Sequence, residues 1–140
     1  LDALEFGARA TPAEVGGFLQ VSGIRFDIYL VDSPVVLDDK GMCSHIADGE
    51  RRVANVEVLD STTGEYHPIE LDRIYTVGSF EYLVSGKGDA GVLQYATIKE
   101  GQLGQDLQML ADYIEKALGG VISERYRKAE GRIFQHLSWD

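Results

Sequence analysis

Two stretches of the chain alternate apolar and polar residues with a period of two, as half-buried β-strands do. The first covers residues 18–30, and Ser22-Gly23 interrupts it, which predicts a bulge or a sharp bend between two strands. The second covers residues 52–59, although Val56 is out of phase with its neighbours. Residues 61–65 follow with a composition typical of a hairpin turn.

Helical spacing of apolar residues appears in two other places. At the start of the chain, Leu1, Leu4 and Phe6 predict the last turns of a helix that ends near Gly7. A second helix is predicted after Gly104, with a stop at Gly119-Gly120. Its first turn contains an acidic residue, and its apolar positions follow helical spacing: Asp106, then Leu107, Leu110, Ile114 and Leu118.

The remaining segments complete the predicted fold. Residues 31–49 are irregular and indicate a solvated excursion between strands, residues 75–77 predict a core strand, and residues 130–134 predict a closing strand. Antiparallel-looking strands with separated helices favour an α+β fold, a mixed or antiparallel sheet with packed helices, over regular βαβ alternation. A length of 140 residues is consistent with one domain over residues 1–140.

The charge of the chain limits its partners. Acidic side chains outnumber basic ones by 23 to 13, which gives a formal net charge of −10. Such a surface repels nucleic-acid backbones and anionic lipid headgroups, so we expect no nucleic-acid partner. A single small anionic ligand remains compatible with this charge, because one site can be locally basic.

Cysteine usage and apolar runs exclude further classes. Cys43 is the one cysteine, so an intrachain disulfide is impossible and a zinc-finger site is disfavoured. No apolar run approaches the roughly 18 residues that cross a bilayer, so we expect no membrane-spanning segment. The chain opens without Met and within a helical pattern, so we expect it to be a piece of a longer protein, in which any targeting segment could lie upstream.

Common catalytic motifs are not found in the sequence. Gly86-Lys87 resembles the end of a phosphate-binding loop, but that motif requires Gly where Glu81 stands and Ser or Thr where Gly88 stands. No nucleophile elbow with a Ser-His-Asp set and no His-Glu-x-x-His helix is present, and Asp38-Asp39 lies in a polar, solvated segment. We therefore predict no catalytic residue and no metal ligand in this chain.

The loop over residues 82–91 carries the most specific candidate chemistry. Gly86, Gly88 and Gly91 allow a ligand to approach the backbone closely. The carboxylate of Asp89 could accept hydrogen bonds from two neighbouring hydroxyls, such as those of a ribose. Tyr82 or Phe80 could stack on a nucleobase, an interaction worth roughly 1–3 kcal/mol per base in single-strand binders. A tight turn beside a core aromatic residue is the alternative interpretation.

Several segments in order resemble one known family. Residues 17–26, GFLQVSGIRF, resemble the G-x-F-L-Q-V-S-G-L-x-F stretch of the 5′-nucleotidase C-terminal domain family. Residues 3–7, ALEFG, are similar to its ALENG helix end, and Arg52-Val53 begins a segment similar to its R-V-x-x-V strand. Residues 82–86, YLVSG, are similar to part of its N-F-L-A-N-G-G-D-G segment, and residues 130–133, EGRI, match its closing strand.

The resemblance implies a role in substrate recognition. In that family the aromatic residue before the glycines stacks on the nucleobase, and the aspartate binds the ribose hydroxyls; Tyr82 and Asp89 occupy these positions. Gly86 and Gly88 would shape the loop, and Phe80 is the alternative stacking residue. The chain would then be most of a C-terminal domain of a two-domain phosphohydrolase that acts on nucleoside phosphates.

The other domain of such a protein is expected outside this chain. Full-length members pair the C-terminal domain with an N-terminal metallophosphatase domain that holds two divalent metals, and those metals polarise the phosphate and activate water. The resemblance therefore implies no cofactor in this chain, a nucleotide or nucleoside as substrate, and an extracytoplasmic location.

Departures from the family pattern leave two alternatives open. The family's Asn-Phe pair is Glu81-Tyr82 here, and Lys87 is inserted between Gly86 and Gly88. A lysine in this loop could contact a phosphate, which favours a related hydrolase of UDP-sugars, cyclic phosphates or sulfur esters. A longer loop could also displace Asp89, which favours a binding or surface-interaction module that has kept the fold without the ligand.

Overall fold

The structure is a computed structural model that describes residues 1–85, 91–101, 103–129 and 131–138. The chain has an α+β fold with a mixed sheet, as predicted from the sequence. It divides into two compact units, one formed by Leu1–Ala96 with Arg132–Asp140 and the other by Thr97–Gly131. The single domain over residues 1–140 stays a prediction.

The first unit is built on a four-stranded sheet. Its described elements are α1 (Asp2–Ala8), β1 (Ile24–Tyr29), β2 (Val35–Leu37), β3 (Cys43–Ile46), β4 (Val53–Leu59), β5 (Tyr66–Pro68), α2 (Glu81–Val84), a 3₁₀ helix (Gly91–Tyr95) and β6 (Ile133–His136). The strand order is β5-β4-β1-β6. Strand β6 runs parallel to β1, whereas β4 is antiparallel to both β1 and β5. Strands β2 and β3 form a separate antiparallel pair.

Helix α1 covers one face of this sheet and encloses the core. Side chains from α1, β1 and β4 form the buried cluster, namely Leu4, Ala8, Phe26, Ile28, Val53 and Val56. The predicted strand over residues 18–30 begins only at Ile24, but Phe18 and Val21 still pack against the cluster. Gly23, with φ of +73°, makes the predicted bend just before the strand.

A β-bulge explains why Val56 is out of phase in the sequence. The register between β1 and β4 shifts from Arg25↔Glu57 to Asp27↔Ala54, so two residues of β4 lie opposite one residue of β1. Asn55 adopts a positive φ of 49° at this point. The extra residue turns both Val53 and Val56 towards the core, which a strict period of two does not allow.

The predicted hairpin turn between β4 and β5 is confirmed. The carboxylate of Asp60 accepts hydrogen bonds from the backbone N–H of Thr62 at 2.7 Å and of Thr63 at 3.4 Å. These bonds to the charged carboxylate lower the pKa of Asp60 below its ordinary value, with the Thr62 N–H as the largest cause. Gly64, with φ of +78°, closes the turn.

One predicted strand is wrong, and one segment predicted to be irregular contains strands. Tyr75–Val77 was expected to be a core strand, but the structure describes no strand there, and Ile74 beside it is 95% exposed. Apolar and β-branched residues favour a strand, but a strand forms only where a neighbouring strand pairs with them. Residues 31–49 form an excursion between β1 and β4 without a buried residue, as expected, but they are more regular than predicted because they contain the paired strands β2 and β3.

The second unit contains the predicted C-terminal helix. Helix α3 (Asp106–Asp112) continues as a π-helical segment over Tyr113–Ala117 and is followed by a 3₁₀ helix over Glu124–Arg127. Gly119 and Gly120, both with positive φ, end the helix as expected. The hydroxyls of Tyr113 and Tyr126 lie 2.9 Å apart and connect the π-helical segment to the 3₁₀ helix.

A buried carboxylate connects α1 to the sheet. Glu5 is 0% exposed, and its two oxygens accept hydrogen bonds from the backbone N–H of Arg52 at 2.8 Å and of Val53 at 3.0 Å. The guanidinium of Arg52 in turn donates to the carbonyl oxygens of Ala8 at 3.3 Å and Thr11 at 2.6 Å. These four bonds attach the end of α1 to the start of β4.

Removal of the Glu5 carboxylate should destabilise the fold. In Glu5→Gln an amide NH₂ group replaces one of the two accepting oxygens. This group cannot accept a hydrogen bond, so one buried backbone N–H loses its partner. We expect the free energy of unfolding to fall by about 1–3 kcal/mol. Urea denaturation of Glu5→Gln against Glu14→Gln measures this, because Glu14 is exposed. An equal, small change in both variants would contradict it.

Candidate functional site

Two aromatic residues at the start of α2 form the candidate stacking platform. Tyr82 is 61% exposed and Phe80 is 62% exposed, so neither ring belongs to the core. Phe80 is the N-cap residue, with extended backbone angles, and its carbonyl oxygen accepts from the N–H of Leu83 at 3.0 Å and of Val84 at 3.2 Å. The alternative interpretation of a core aromatic is therefore wrong for these two residues.

The ends of the glycine-rich loop are held by local contacts. After α2, the backbone N–H of Ser85 donates to Glu81 O at 2.8 Å, and its hydroxyl lies 3.3 Å from Tyr82 O. Beyond the loop, the 3₁₀ helix Gly91–Tyr95 packs against both α2 and α1. The exposed aromatic residues 80 and 82 thus lie on a turn that contacts the rest of the first unit through this short helix.

Four of the predicted binding residues lie outside the described residues. These are Gly86, Lys87, Gly88 and Asp89. The common cleft expected between Tyr82 and Asp89 therefore stays a prediction. Exposure of Tyr82 meets the requirement that a stacking ring be accessible to its ligand, and the stacking role itself also stays a prediction.

Two open depressions lie elsewhere on the first unit. The smaller, of about 440 Å³, is lined by residues 11–16 with Phe18 and Gln135. The larger, of about 550 Å³, lies between the start of α1, strand β3 and Tyr95. Neither is lined by Phe80 or Tyr82, so these two rings stand outside both depressions.

A polar network on the outer face of the sheet was not predicted from the sequence. Asp27 on β1 lies 2.9 Å from His136 Nε2 on β6 and accepts a hydrogen bond of 2.6 Å from the Asn55 amide on β4. The ring of His136 stacks on Tyr29 with centroids 4.8 Å apart. Asp27 and His136 are 109 positions apart in sequence. Only the parallel pairing of β1 with β6 brings them together.

The same outer face carries an ion pair next to this network. Arg25 on β1 bonds to the Glu57 carboxylate on β4, and its guanidinium lies 4.4 Å from the centroid of the Tyr66 ring on β5. The network and the ion pair together connect all four strands on the face opposite the core. The side chains of the network and of the ion pair bond to one another, so we assign them to the stability of the sheet rather than to ligand binding.

The environment of Asp27 shifts its ionisation. Burial raises the pKa of the Asp27 carboxyl, but hydrogen bonds from Asn55 and His136 and the nearby imidazole lower it more. The resulting pKa lies below the ordinary value of 3.8. The carboxylate therefore stays ionised and acts as an acceptor for both neighbours at neutral pH.

The described residues do not fit a divalent metal. Over residues 1–85, 91–101, 103–129 and 131–138, no group of three His, Cys, Asp or Glu side chains could hold an ion. Burial raises the pKa of the Cys43 thiol, with a further contribution from Asp2, so this thiol is a poor metal ligand near neutral pH.

Among the helices that the structure describes, none combines the length and apolar composition needed to cross a bilayer.

Comparison with known sequences identifies the family. The sequence model of the family "5′-nucleotidase, C-terminal domain" matches residues 1–95, which include α2 and every strand of the sheet except β6. The chain belongs to this 5′-nucleotidase C-terminal domain family. Among curated proteins, none matches the sequence.

A solved structure extends the similarity over nearly the whole chain. The crystal structure of the 5′-nucleotidase precursor from Thermus thermophilus is 26% identical in sequence, with a TM-score of 0.69. The match covers 96% of this chain and 22% of that chain. The present chain thus spans about a fifth of the length of the Thermus thermophilus protein.

The lowered pKa of Asp27 predicts a loss of stability in acid. A carboxyl whose pKa is lower in the folded state stabilises the fold above its unfolded value of about 3.9, and this contribution disappears as pH falls through the folded pKa. We expect wild type to exceed Asp27→Asn in free energy of unfolding at pH 6. Urea denaturation from pH 2 to 7 should show the difference shrinking below about pH 4.

The Glu50→Gln variant is the control for the Asp27 experiment, because Glu50 is exposed. Its difference from wild type should stay small and constant over the same pH range. A difference between wild type and Asp27→Asn that does not change with pH would contradict the prediction.

Proposed function

We propose that this chain supplies nucleoside recognition in a two-domain phosphoesterase of the 5′-nucleotidase type, which hydrolyses nucleoside phosphates. The observation that carries the proposal is the match to a 5′-nucleotidase precursor over 96% of this chain. The family match over residues 1–95 includes α2 and therefore the candidate stacking residues. The nucleoside-phosphate substrate is part of this proposal, and so is a location of the protein outside the cytoplasm.

In the proposed site, the base and the ribose are bound by different residues. Tyr82 stacks on the nucleobase, and its 61% exposure leaves a ring face free for this contact. Phe80 is the alternative stacking residue. Asp89 binds the ribose hydroxyls, and Gly86 and Gly88 allow the ligand to approach the backbone. Lys87 supplies a cation for the phosphate end.

The chemistry of hydrolysis is assigned to a partner domain. The N-terminal metallophosphatase domain of such a protein would hold two divalent metals, which supply Lewis-acid and nucleophile activation. The described residues of this chain offer no matching ligand set. This chain would bind and orient the nucleoside, and we derive no metal-assisted step through its residues.

Lys87 favours a second candidate function. This cation is inserted relative to the family pattern, which favours a related hydrolase of UDP-sugars, cyclic phosphates or sulfur esters. A substrate panel on the two-domain protein separates these candidates. A module without ligand would instead leave the amide signals of residues 80–85 unchanged in titrations with nucleosides.

Replacement of Tyr82 should weaken nucleoside binding. Base stacking contributes about 1–3 kcal/mol, so we expect Tyr82→Ala to raise the dissociation constant for adenosine roughly 5- to 150-fold. NMR titration of the purified chain with adenosine measures it. Tyr95→Ala is the matched control, because Tyr95 is 82% exposed and lies outside α2. Equal weakening in both variants, or none in Tyr82→Ala, would count against the proposal.

The chain by itself should be catalytically inactive. Phosphate-ester hydrolysis in the proposed mechanism requires two metals, and the described residues provide no group of ligands for them. We expect the purified chain with added Mn²⁺ or Zn²⁺ to release no phosphate from AMP above a protein-free blank. Phosphate release that scales with chain concentration and persists through successive purification steps would refute this.

A further inference from the structure

Residues 74–79 form an exposed stretch of the chain without backbone hydrogen bonds. The stretch lies in the first unit between β5 and α2 and belongs to no helix or strand. Within the part of the chain that the structure describes, none of its backbone N–H or C=O groups has a hydrogen-bonding partner. Six consecutive residues, none of them Pro, therefore offer backbone donors and acceptors to a partner.

This stretch and its neighbours also expose apolar side chains. Ile74 is 95% exposed, and Val77 is 73% exposed. Before position 71, the most exposed large apolar side chain of the described residues is Leu37, at 45%. From position 71 to 95, the least exposed of those that the structure describes as exposed is Tyr82, at 61%. Exposed apolar surface concentrated in one segment is typical of an interaction site.

The stretch has none of the features that keep free strand edges from pairing. Residues 74–80 contain no charged residue and no Pro, although 26% of the chain is charged. Its first four residues are β-branched or aromatic, which is the composition of a strand: Ile74, Tyr75, Thr76 and Val77. Natural proteins place Lys, other charges or Pro on edges that stay free. The composition of this stretch therefore indicates a strand whose partner lies outside the described residues.

The position of Leu1 indicates where that partner comes from. Leu1 and Leu71 line the same depression of about 550 Å³, and Leu71 lies just before the exposed stretch. Helix α1 begins directly after Leu1. In a longer polypeptide, the residues before Leu1 would thus reach α1 beside the start of the stretch. The chain covers 22% of the Thermus thermophilus protein, so most of that protein lies outside the matched part.

We propose that residues 74–79 bind a β-strand formed by the segment that precedes Leu1 in the longer polypeptide. Strand addition pairs the backbone groups of an exposed stretch with those of an extended segment. The added strand is expected to be largely uncharged, because a charge beside Ile74 or Val77 would lose hydration without gaining a counter-ion. A second copy of this chain is a poorer partner, because each copy carries a formal net charge of −10. The inference rests on the proposed function only in that the polypeptide continues before Leu1.

Hydrogen exchange in the full-length protein and in the purified chain tests this pairing. In the chain alone, the amides of residues 74–79 should exchange as fast as those of an unstructured peptide. In the full-length protein, these amides and those of the segment before Leu1 should exchange at least about 100-fold more slowly. Fast exchange in both proteins would overturn the inference. A protected stretch beside a freely exchanging upstream segment, or protection in the chain alone that rises with its concentration, would also overturn it.

Thr76→Pro and Val77→Pro provide an independent test. Adjacent residues of a strand direct their N–H groups to opposite sides, so one of the two variants must remove a bond to the added strand. At least one variant should lower the thermal midpoint of the full-length protein, and neither should change that of the purified chain. Unchanged midpoints of the full-length protein in both variants would contradict the pairing.

Ser61→Pro is the matched control for these variants. Ser61 is exposed in the turn after β4, and its N–H has no hydrogen bond among the described residues. The position after the first residue of such a turn accepts Pro. This substitution should leave the midpoints of both proteins unchanged.

The outcomes separate this inference from the proposed function. If adenosine does not shift the amide signals of residues 80–85, but residues 74–79 are protected in the full-length protein, the proposed function fails and the inference stands. If Tyr82→Ala weakens adenosine binding while residues 74–79 exchange freely in the full-length protein, the inference alone fails.

Discussion

The carboxylate of Glu5 connects α1 to the first residues of β4, and the arrangement of the first unit depends on this contact. A buried carboxylate without partners would cost several kcal/mol, so its position is fixed by the two backbone N–H groups that it bonds. Arg52 extends the contact to the carbonyls of Ala8 and Thr11 at the end of the helix. The helix is thereby held against one particular face of the sheet, which becomes the core.

On the face of the sheet opposite α1, polar contacts connect the strands. The bulge at Asn55 serves both faces, because it turns Val56 inwards and allows the Asn55 amide to reach Asp27. Asp27 also bonds to His136, so β6 is attached to β1 by side chains as well as by the backbone. The two described stacking candidates, Phe80 and Tyr82, lie apart from this network at the start of α2, and both side chains are exposed.

Features with local causes were predictable from the sequence. The helix end near Gly7, the strand over residues 53–59, the turn after Asp60 and the helix stop at Gly119-Gly120 each follow from side-chain period or turn chemistry within a few residues. The fold class and the family were predictable for the same reason, since short segments in a fixed order carried the resemblance. Tyr82 was identified as a candidate in this way, as an aromatic residue just before a glycine-rich loop.

Features that need a distant partner were decided by the tertiary structure alone. Tyr75–Val77 has the composition of a strand, yet no described strand pairs with it, because pairing depends on what lies alongside and not on composition. The contact between Asp27 and His136 requires β6 to return beside β1 from the far end of the chain. The sequence also did not determine whether Tyr82 and Glu81 are exposed, since the same residues could form a turn beside the core. The sequence by itself determined the local elements and the family, and the tertiary structure decided which side chains meet and which face solvent, because contacts between distant segments leave no periodic signal.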